Sequence, residues 1–232
     1  MKTSNKLILT LLGLSLASTL VGMMIIKSHL VVIEPGSQDH HHEGLKGNGV
    51  VSTKMISDSV NSTILFVEDY QTWYLDPNST GIKAEWDENL LGLIEYRDKY
   101  QGKVLRLSDH EHVSFSTGPK VTVGIKGMHN LKFYISDKSK LYSLSKLDLN
   151  VLILEAQQNA LVDLDINSDL LDIDIDDNAK MILTGSVEAM SFKGWGRATG
   201  AFEEMDVNKL KVNLADKATV HLNKCQTMAG KI

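Results

Sequence analysis

Hydrophobic and polar residues alternate through the C-terminal half of the chain, and the pattern returns every 19 or 20 residues. Alternation with a period of two is typical of strands that turn one face towards a core. Two such strands in each interval predict a chain that winds into stacked coils. We therefore predict an all-β fold, a single-domain parallel β-helix or β-solenoid with 19–20 residues per coil.

Four apolar columns define the predicted core. They are Phe133, Leu152, Leu171, Met190 and Leu210; Ile135, Leu154, Ile173, Phe192 and Val212; Tyr142, Val162, Met181, Gly200 and Val220; and Leu144, Leu164, Leu183, Phe202 and Leu222. Between the strands lie short segments rich in Asn, Asp, Gly and Ala, at 136–139, 157–160, 176–179, 195–198 and 215–218. These residue types accept tight backbone bends, so we expect one sharp corner in each coil.

Outward-facing residues also form columns, because stacked strands lie about 4.8 Å apart. One outward column reads Ser136, Glu155, Asp174, Lys193 and Asn213. It predicts that Asp174 lies between Glu155 and Lys193, with repulsion on one side and an ion pair on the other.

The segment 50–128 carries shorter β-rich runs separated by turn residues. We interpret it as the first, less regular coils of the same domain and as the cap that a solenoid needs at its end. The last coil, near Leu222, needs cover as well, because open edge strands pair with other chains. The pattern thus predicts either a homo-oligomer through exposed solenoid ends or a docked partner.

An uncharged apolar run extends from Leu7 to Ile26. A helix of that length is about 30 Å long, enough to cross a membrane. Lys2, Lys6 and the N-terminal amine precede it and Lys27 follows it. The positive-inside rule therefore favours a cytoplasmic N-terminus and a periplasmic or extracellular C-terminal domain. We expect an uncleaved signal anchor, with a cleaved secretory signal as the alternative. The predicted organisation is a stub and anchor at 1–28, a linker at 29–49 and a solenoid domain at 50–232.

Composition narrows the function. With 43% hydrophobic and 23% charged residues the chain is ordinary globular protein. A net charge of -5 argues against nucleic-acid binding, which needs a cationic surface. Cys225 is the sole cysteine, so no internal disulfide forms, and no His and Asn pattern marks it as a nucleophile.

Metal, cofactor and catalytic sites are not predicted. The tract His40, His41 and His42 lies in the linker, and Asp109-His110-Glu111-His112 supplies two imidazoles where zinc needs more ligands. Seven aspartates between 163 and 177 lack the glycine-rich calcium repeat. We interpret them as a solvated face, although paired carboxylates for glycosidic cleavage remain the alternative.

One coil departs from the pattern. Gly194 and Gly200 fall beside Trp195 and Arg197. A large aromatic side chain that fills the space left by two glycines is one explanation. A ligand contact at Trp195 and Arg197 is the other.

Several segments carry a resemblance to a known family: DENLL from Asp87, GKVLRL from Gly102, VTV from Val121 and NLK from Asn130. Together with the repeats, they resemble the head GIN domain of putative auto-transporter adhesins, from about Val51 to Asn223. That family typically has Ser-Gly-Ser-Gly at its corners, so this chain is similar to a divergent member. The resemblance implies a β-helical domain exported by a bacterium, and it supplies no catalytic residues.

Three functions follow from these observations. The first is a non-enzymatic, membrane-anchored solenoid with a binding, adhesion-like or structural role in the cell envelope, whose ligand is a glycan or an envelope protein. The second is a polysaccharide-active lyase or hydrolase on the same scaffold, which the low aromatic content of 6% disfavours. The third is an envelope sensor, which the short N-terminal stub disfavours.

Overall fold

The structure is a computed structural model that describes residues 48–60, 62–68, 71–99, 102–107 and 118–231. The predicted anchor, the histidine tract and the segment Asp109 to His112 lie outside these residues. Within the described residues, no helix has the length and apolar character needed to cross a membrane.

The described chain is all-β, with a single 3₁₀ turn, and its strands stack as predicted for a solenoid. The elements are β1 (Val51–Ser57), β2 (Ile64–Val67), β3 (Thr72–Asp76), β4 (Thr80–Asp87), η1 (Leu91–Leu93), β5 (Ile94–Lys99), β6 (Gly102–Leu107), β7 (Lys120–Ile125), β8 (Asn130–Ile135), β9 (Lys140–Ser143), β10 (Leu147–Ala156), β11 (Leu161–Ile175), β12 (Lys180–Gly194), β13 (Thr199–Leu214) and β14 (Thr219–Lys231).

Parallel pairing runs continuously from β8 and β9 through β10, β11, β12 and β13 to β14. Breaks in the pairing register divide each repeat into three segments, and a long strand such as β11 runs through all three. In β11, residues 161–165 form what we call the second face, 166–168 the third face and 170–175 the first face. The same division holds for the equivalent residues of the coils above and below.

The first predicted column is confirmed from Leu152 to Leu210. Leu152 pairs in register with Leu171, which pairs with Met190, which pairs with Leu210. All four side chains are at most 3% exposed. Removing a buried leucine from such a stack costs about 2–5 kcal/mol, because a close-packed interior does not collapse into the space.

The predicted columns are wrong in one coil, the one formed by β8 and β9. Leu131, and not Phe133, lies next to Leu152, and Leu141, and not Tyr142, lies next to Val162. The reason is a two-residue insertion at the corner between Leu141 and Leu147, which lengthens this step to 21 residues. Ile135 accordingly pairs with Ala156, and Leu144 points outward with 56% of its surface exposed.

The predicted corners are confirmed. Each is a two-residue turn, and its first turn residue has a left-handed backbone, with φ between 54° and 63°; these residues are Asp137, Gln158, Asp177, Gly196 and Asp216. Asn, Asp and Gly tolerate this conformation better than β-branched residues do, which explains their recurrence at these positions.

The early segment belongs to the same sheet, but its coils are not stacked in chain order. β2 lies between β6 and β8, and β3 lies between β7 and β9. The chain therefore forms an inner coil first, continues into an outer one, and returns to the opposite side of the first. Beyond that outer coil, β1, β4 and β5 continue the sheet antiparallel, and Leu90, Leu91 and Ile94 are buried in the core cluster.

The opposite end of the stack is open in the part of the chain that the structure describes, where β14 pairs with β13 alone. Met228 follows Leu210 in the column that begins at Leu152, yet it is 61% exposed. The same inward position is thus buried in the interior coils and exposed in the last one.

Candidate functional site

The first face presents an outward column that runs across six strands. Parallel register places Phe66, Tyr134, Glu155, Asp174, Lys193 and Asn213 side by side. We call this set the outer column. Asp174 lies between Glu155 and Lys193 as predicted. Tyr134 occupies the place expected for Ser136, because of the two-residue insertion between Leu141 and Leu147.

Two aromatic rings begin the outer column. The rings of Phe66 and Tyr134 stack with centroids 4.7 Å apart and planes 9° from parallel. The Lys132 Nζ lies 4.4 Å from the Tyr134 ring centroid and 2.7 Å from Glu155 Oε1. Hydrogen bonds to Glu155 and Tyr134 hold the pKa of the Lys132 ammonium above its usual value. An aromatic wall, a fixed cation and a carboxylate therefore meet at one place.

Asp174 lies in the middle of the column, in a partly desolvated position. Burial raises the pKa of its carboxyl, and the neighbouring Glu155 acts in the same direction. Lys193 Nζ, 3.9 Å from Asp174 Oδ2, and a hydrogen bond with the Trp195 side chain lower it in part. The indole N–H is the donor in that bond, because it carries no acceptor.

A cavity of about 430 Å³ opens beside this column. Its lining combines two aromatic rings, four carboxylates and small or amide-bearing residues: Phe66, Glu68, Tyr134, Ile135, Ser136, Glu155, Ala156, Gln157, Asp174 and Asp176. Concave sites with apolar walls and a few convergent polar groups are typical of ligand binding. Carboxylates and amides accept and donate hydrogen bonds to hydroxyl groups, while aromatic rings contact C–H faces.

The two predicted contact residues, Trp195 and Arg197, lie in different surroundings. Trp195 directly follows the last residue of β12, contacts the Asp174 carboxylate and is 40% exposed, so it lies beside the outer column. Arg197 lies in the exposed corner, where its backbone N–H donates to the Asp177 carbonyl. Sequence reasoning missed Phe66 and Tyr134, which lie far apart along the chain.

Packing explains the two glycines of this coil. A Cβ on Gly200 would lie 2.7 Å from the Phe202 ring, and one on Gly194 would lie 3.2 Å from the Phe192 ring. These two phenylalanines pack edge to face, with centroids 5.4 Å apart. Phe192 and Phe202, and not Trp195, fill the space that the glycines leave.

A second groove of about 550 Å³ lies on the third face, but its polar groups contact one another. Asn167 donates to Asp148 at 3.0 Å, and Ser186 donates to Asn167 at 2.9 Å. The same ladder continues to Asp206 and Lys224, whose charged atoms are 3.2 Å apart. Hydrogen bonds between successive coils use much of this face, so it stabilises the stack, and the first face is the better candidate site.

Within the described residues, no group of three or more His, Cys, Asp or Glu side chains is arranged to hold a metal ion. The aspartates of 163–177 alternate with buried residues along β11, as on a solvated strand.

The stacked parallel coils define a β-solenoid. The chain belongs to the family described as putative auto-transporter adhesin, head GIN domain, whose model matches residues 69–232. This match confirms the resemblance drawn from the sequence. A comparison with curated proteins returns no significant match.

Solved structures share the fold at low sequence identity. A putative adhesin from Parabacteroides distasonis ATCC 8503 is 16% identical with a TM-score of 0.68, over 81% of this chain and 82% of that one. A putative adhesin from Bacteroides fragilis NCTC 9343 is 12% identical with a TM-score of 0.59, over 82% and 100%. A putative lipid binding protein from Parabacteroides distasonis ATCC 8503 is 14% identical with a TM-score of 0.51, over 80% and 96%.

Proposed function

We propose that this protein is a non-enzymatic binding protein of the bacterial cell envelope with an adhesion-like role, and that the first face holds its ligand. Family membership and the names of the structural neighbours support adhesion. The observation that carries the proposal is the outer column, where aromatic, carboxylate and ammonium groups follow one another at one residue per coil beside a cavity.

An extended glycan suits this geometry. Adjacent strands lie about 4.8 Å apart, which is close to the length of one sugar residue in an extended chain. A polysaccharide along the solenoid axis would therefore meet an equivalent outward position with each successive sugar. Glu155 and Asp174 would bond its hydroxyl groups, and the ring edges of Phe66 and Tyr134 would supply apolar contact.

We further propose that the run from Leu7 to Ile26 anchors the protein in a membrane, with a cytoplasmic N-terminus and an exported solenoid. Its lack of charge supports insertion, and the positive charges of Lys2, Lys6 and the N-terminal amine, set against Lys27 alone on the other side, support this orientation. Mass spectrometry of protein purified from cells should find the intact N-terminal segment. A mature chain that begins after Thr19 would contradict the anchor.

Glycan-array binding by the detergent-solubilised full-length protein tests the ligand. We expect saturable binding that Tyr134→Ala weakens by about tenfold or more, as for an aromatic residue central to an interface. Tyr142→Ala is the matched control, because Tyr142 forms an outward ring pair with Tyr74 on the second face, at 5.5 Å. It should change binding less than about twofold, on the same reasoning. Equal losses from both variants would place the ligand elsewhere, and binding only to envelope proteins would replace the glycan.

The enzyme alternative has one observation in its favour: the pKa of Asp174 is raised beside the Glu155 carboxylate. Glycosidic cleavage uses a pair of carboxyl groups, and the one that acts as the general acid has a raised pKa. Released oligosaccharide, abolished by Asp174→Asn while binding persists, would establish catalysis. Our proposal predicts that the bound glycan is recovered intact.

A further inference from the structure

The inward residues of β14 are arranged symmetrically about Cys225. Register partners in β13 identify them, since each lies next to a residue whose side chain is enclosed in the coil: Val220, Leu222, Cys225, Met228 and Gly230 lie next to Gly200, Phe202, Val207, Leu210 and Val212. Counted from Cys225, the inward positions are three and five residues away in both directions. Residues of β13 that are not enclosed in the coil lie next to Thr219, His221, Lys224, Thr227 and Ala229.

This symmetry matters because an antiparallel strand pair reverses the order of one partner. If two β14 strands meet antiparallel with Cys225 opposite Cys225, then Leu222 lies opposite Met228 and Val220 lies opposite Gly230. Every inward residue meets an inward residue, and every outward residue meets an outward one. Strand pairing demands such agreement, because a shift of one residue turns all side chains to the wrong face.

We propose that two copies of this chain associate end to end through β14, in this antiparallel register, about a two-fold axis near Cys225. The association would continue the sheet across the axis, satisfy the unpaired edge of the last coil and cover Met228, which is 61% exposed. A two-fold interface uses the same patch on both subunits, and the palindromic row of β14 is such a patch.

Charges along the edge suit a second copy. In the proposed register Lys224 lies opposite Gln226 of the other copy, and Asn223 lies opposite Thr227, so no like charges face each other directly. The two Lys224 side chains are diagonal neighbours, and each is already paired with Asp206 of its own chain at 3.2 Å. This pairing limits their mutual repulsion.

Among the described residues, the other end of the stack is built differently. Beyond the outermost parallel strands, β1, β4 and β5 continue antiparallel, and Leu90 and Leu91 lie buried there. The sheet has two edge strands there, β1 and β5, and β1 has exposed residues along most of its length. The inference is independent of the glycan proposal, although a dimer would present two first faces and strengthen adhesion by multivalency.

Light scattering of the detergent-solubilised full-length protein tests the association. We expect a dimer that Met228→Asp dissociates, because the substitution would bury a carboxylate among the inward residues of the interface, opposite Leu222 of the other copy. Met55→Asp is the matched control, since Met55 is another exposed methionine on the β1 edge, at 49% exposure. A monomer at all concentrations, or a dimer that only Met55→Asp disrupts, would overturn the proposal.

Two further variants test the register. Gln226→Glu should tighten the dimer and Gln226→Lys should weaken it, each on the order of fivefold, because two symmetric cross-strand pairs with Lys224 change together. Copper-phenanthroline oxidation should link the dimer rapidly through Cys225. The double variant Cys225→Ser with Thr227→Cys should link far more slowly, since residue 227 lies opposite 223. Equal linking rates, or no response to charge at position 226, would overturn this register.

Discussion

The two ends of the solenoid are built differently, although both finish the same stack. At one end the chain leaves the repeat, reverses strand direction in β1, β4 and β5, and buries Leu90, Leu91 and Ile94. At the other end β14 keeps the parallel repeat, and its inward residues Leu222 and Cys225 are only partly buried. A repeating strand pattern buries its own core only while another coil follows, so its termination needs residues that break the repeat or a second chain.

The comparison predicts that truncating a side chain of this core column lowers the free energy of unfolding by very different amounts in the interior coils and in the last coil. Leu171→Ala in an interior coil should lower the free energy of unfolding by about 3 kcal/mol, because it leaves a cavity in a fully enclosed stack. Met228→Ala, one end of the same column, should cost less than about 1 kcal/mol in the monomer, because most of its surface is already in water. Chemical denaturation of both variants measures the difference. Equal costs would mean that β14 is covered in the monomer.

Alanine substitutions at two glycines should also differ in their effect on stability, because one glycine is tightly packed in an interior coil and the other is not. Gly185 has a φ of +104°, and a Cβ there would lie 2.0 Å from the Ile166 carbonyl oxygen. We expect Gly185→Ala to destabilise the protein by about 2 kcal/mol or more, since the clash is with backbone of the next coil. A Cβ on Gly92, in the 3₁₀ turn near the closed end, meets nothing within 4 Å. Gly92→Ala should be neutral or slightly stabilising. Thermal melts of both glycine variants measure the difference.

The smallest predicted effects concern the pH dependence of stability. They have opposite signs for Asp174, in an interior coil, and for Asp76, in the early segment. The folded-state pKa of Asp174 is raised, so its ionised form weakens the coil at neutral pH, and this penalty disappears as pH falls through that pKa. Asp174→Asn should stabilise the protein at pH 7, by less than about 1 kcal/mol because the group is largely solvated. The gain should vanish below the ordinary value of 3.8.

Asp76, at the turn between β3 and β4, behaves in the opposite way. Hydrogen bonds from Ser79 and the Asn78 backbone hold the pKa of its carboxyl below its usual value. Asp76 therefore stabilises the fold at neutral pH, and that contribution is lost as pH falls through the folded-state pKa. Asp76→Asn should lower the melting temperature slightly at pH 7, and this effect should shrink as the pH falls below the ordinary value of 3.8. The same sign for both variants would contradict the assigned environments.

The interior coils were predictable because each repeats the register of the one before. From Leu152 onward the alternation of apolar residues identified the core, and Asp, Asn and Gly identified the corners. The insertion at 143–146 was missed because Leu144 continues the apolar pattern while it points into solvent. The place of β2 between β6 and β8 depends on contacts between distant segments, which no local pattern records. The candidate site was incomplete for the same reason, because Phe66 and Tyr134 meet only through that stacking order.

Methyl NMR tests the stacked register most directly. With labelled Leu and Met methyl groups in the full-length protein, we expect nuclear Overhauser contacts from Leu152 to Leu171, from Leu171 to Met190, and from Met190 to Leu210. Contacts that skip a coil, such as Leu152 to Met190, should be weak or missing, since those strands lie about 9.6 Å apart. Strong skipped contacts without the sequential ones would contradict the stack of coils on which the site and the dimer both depend.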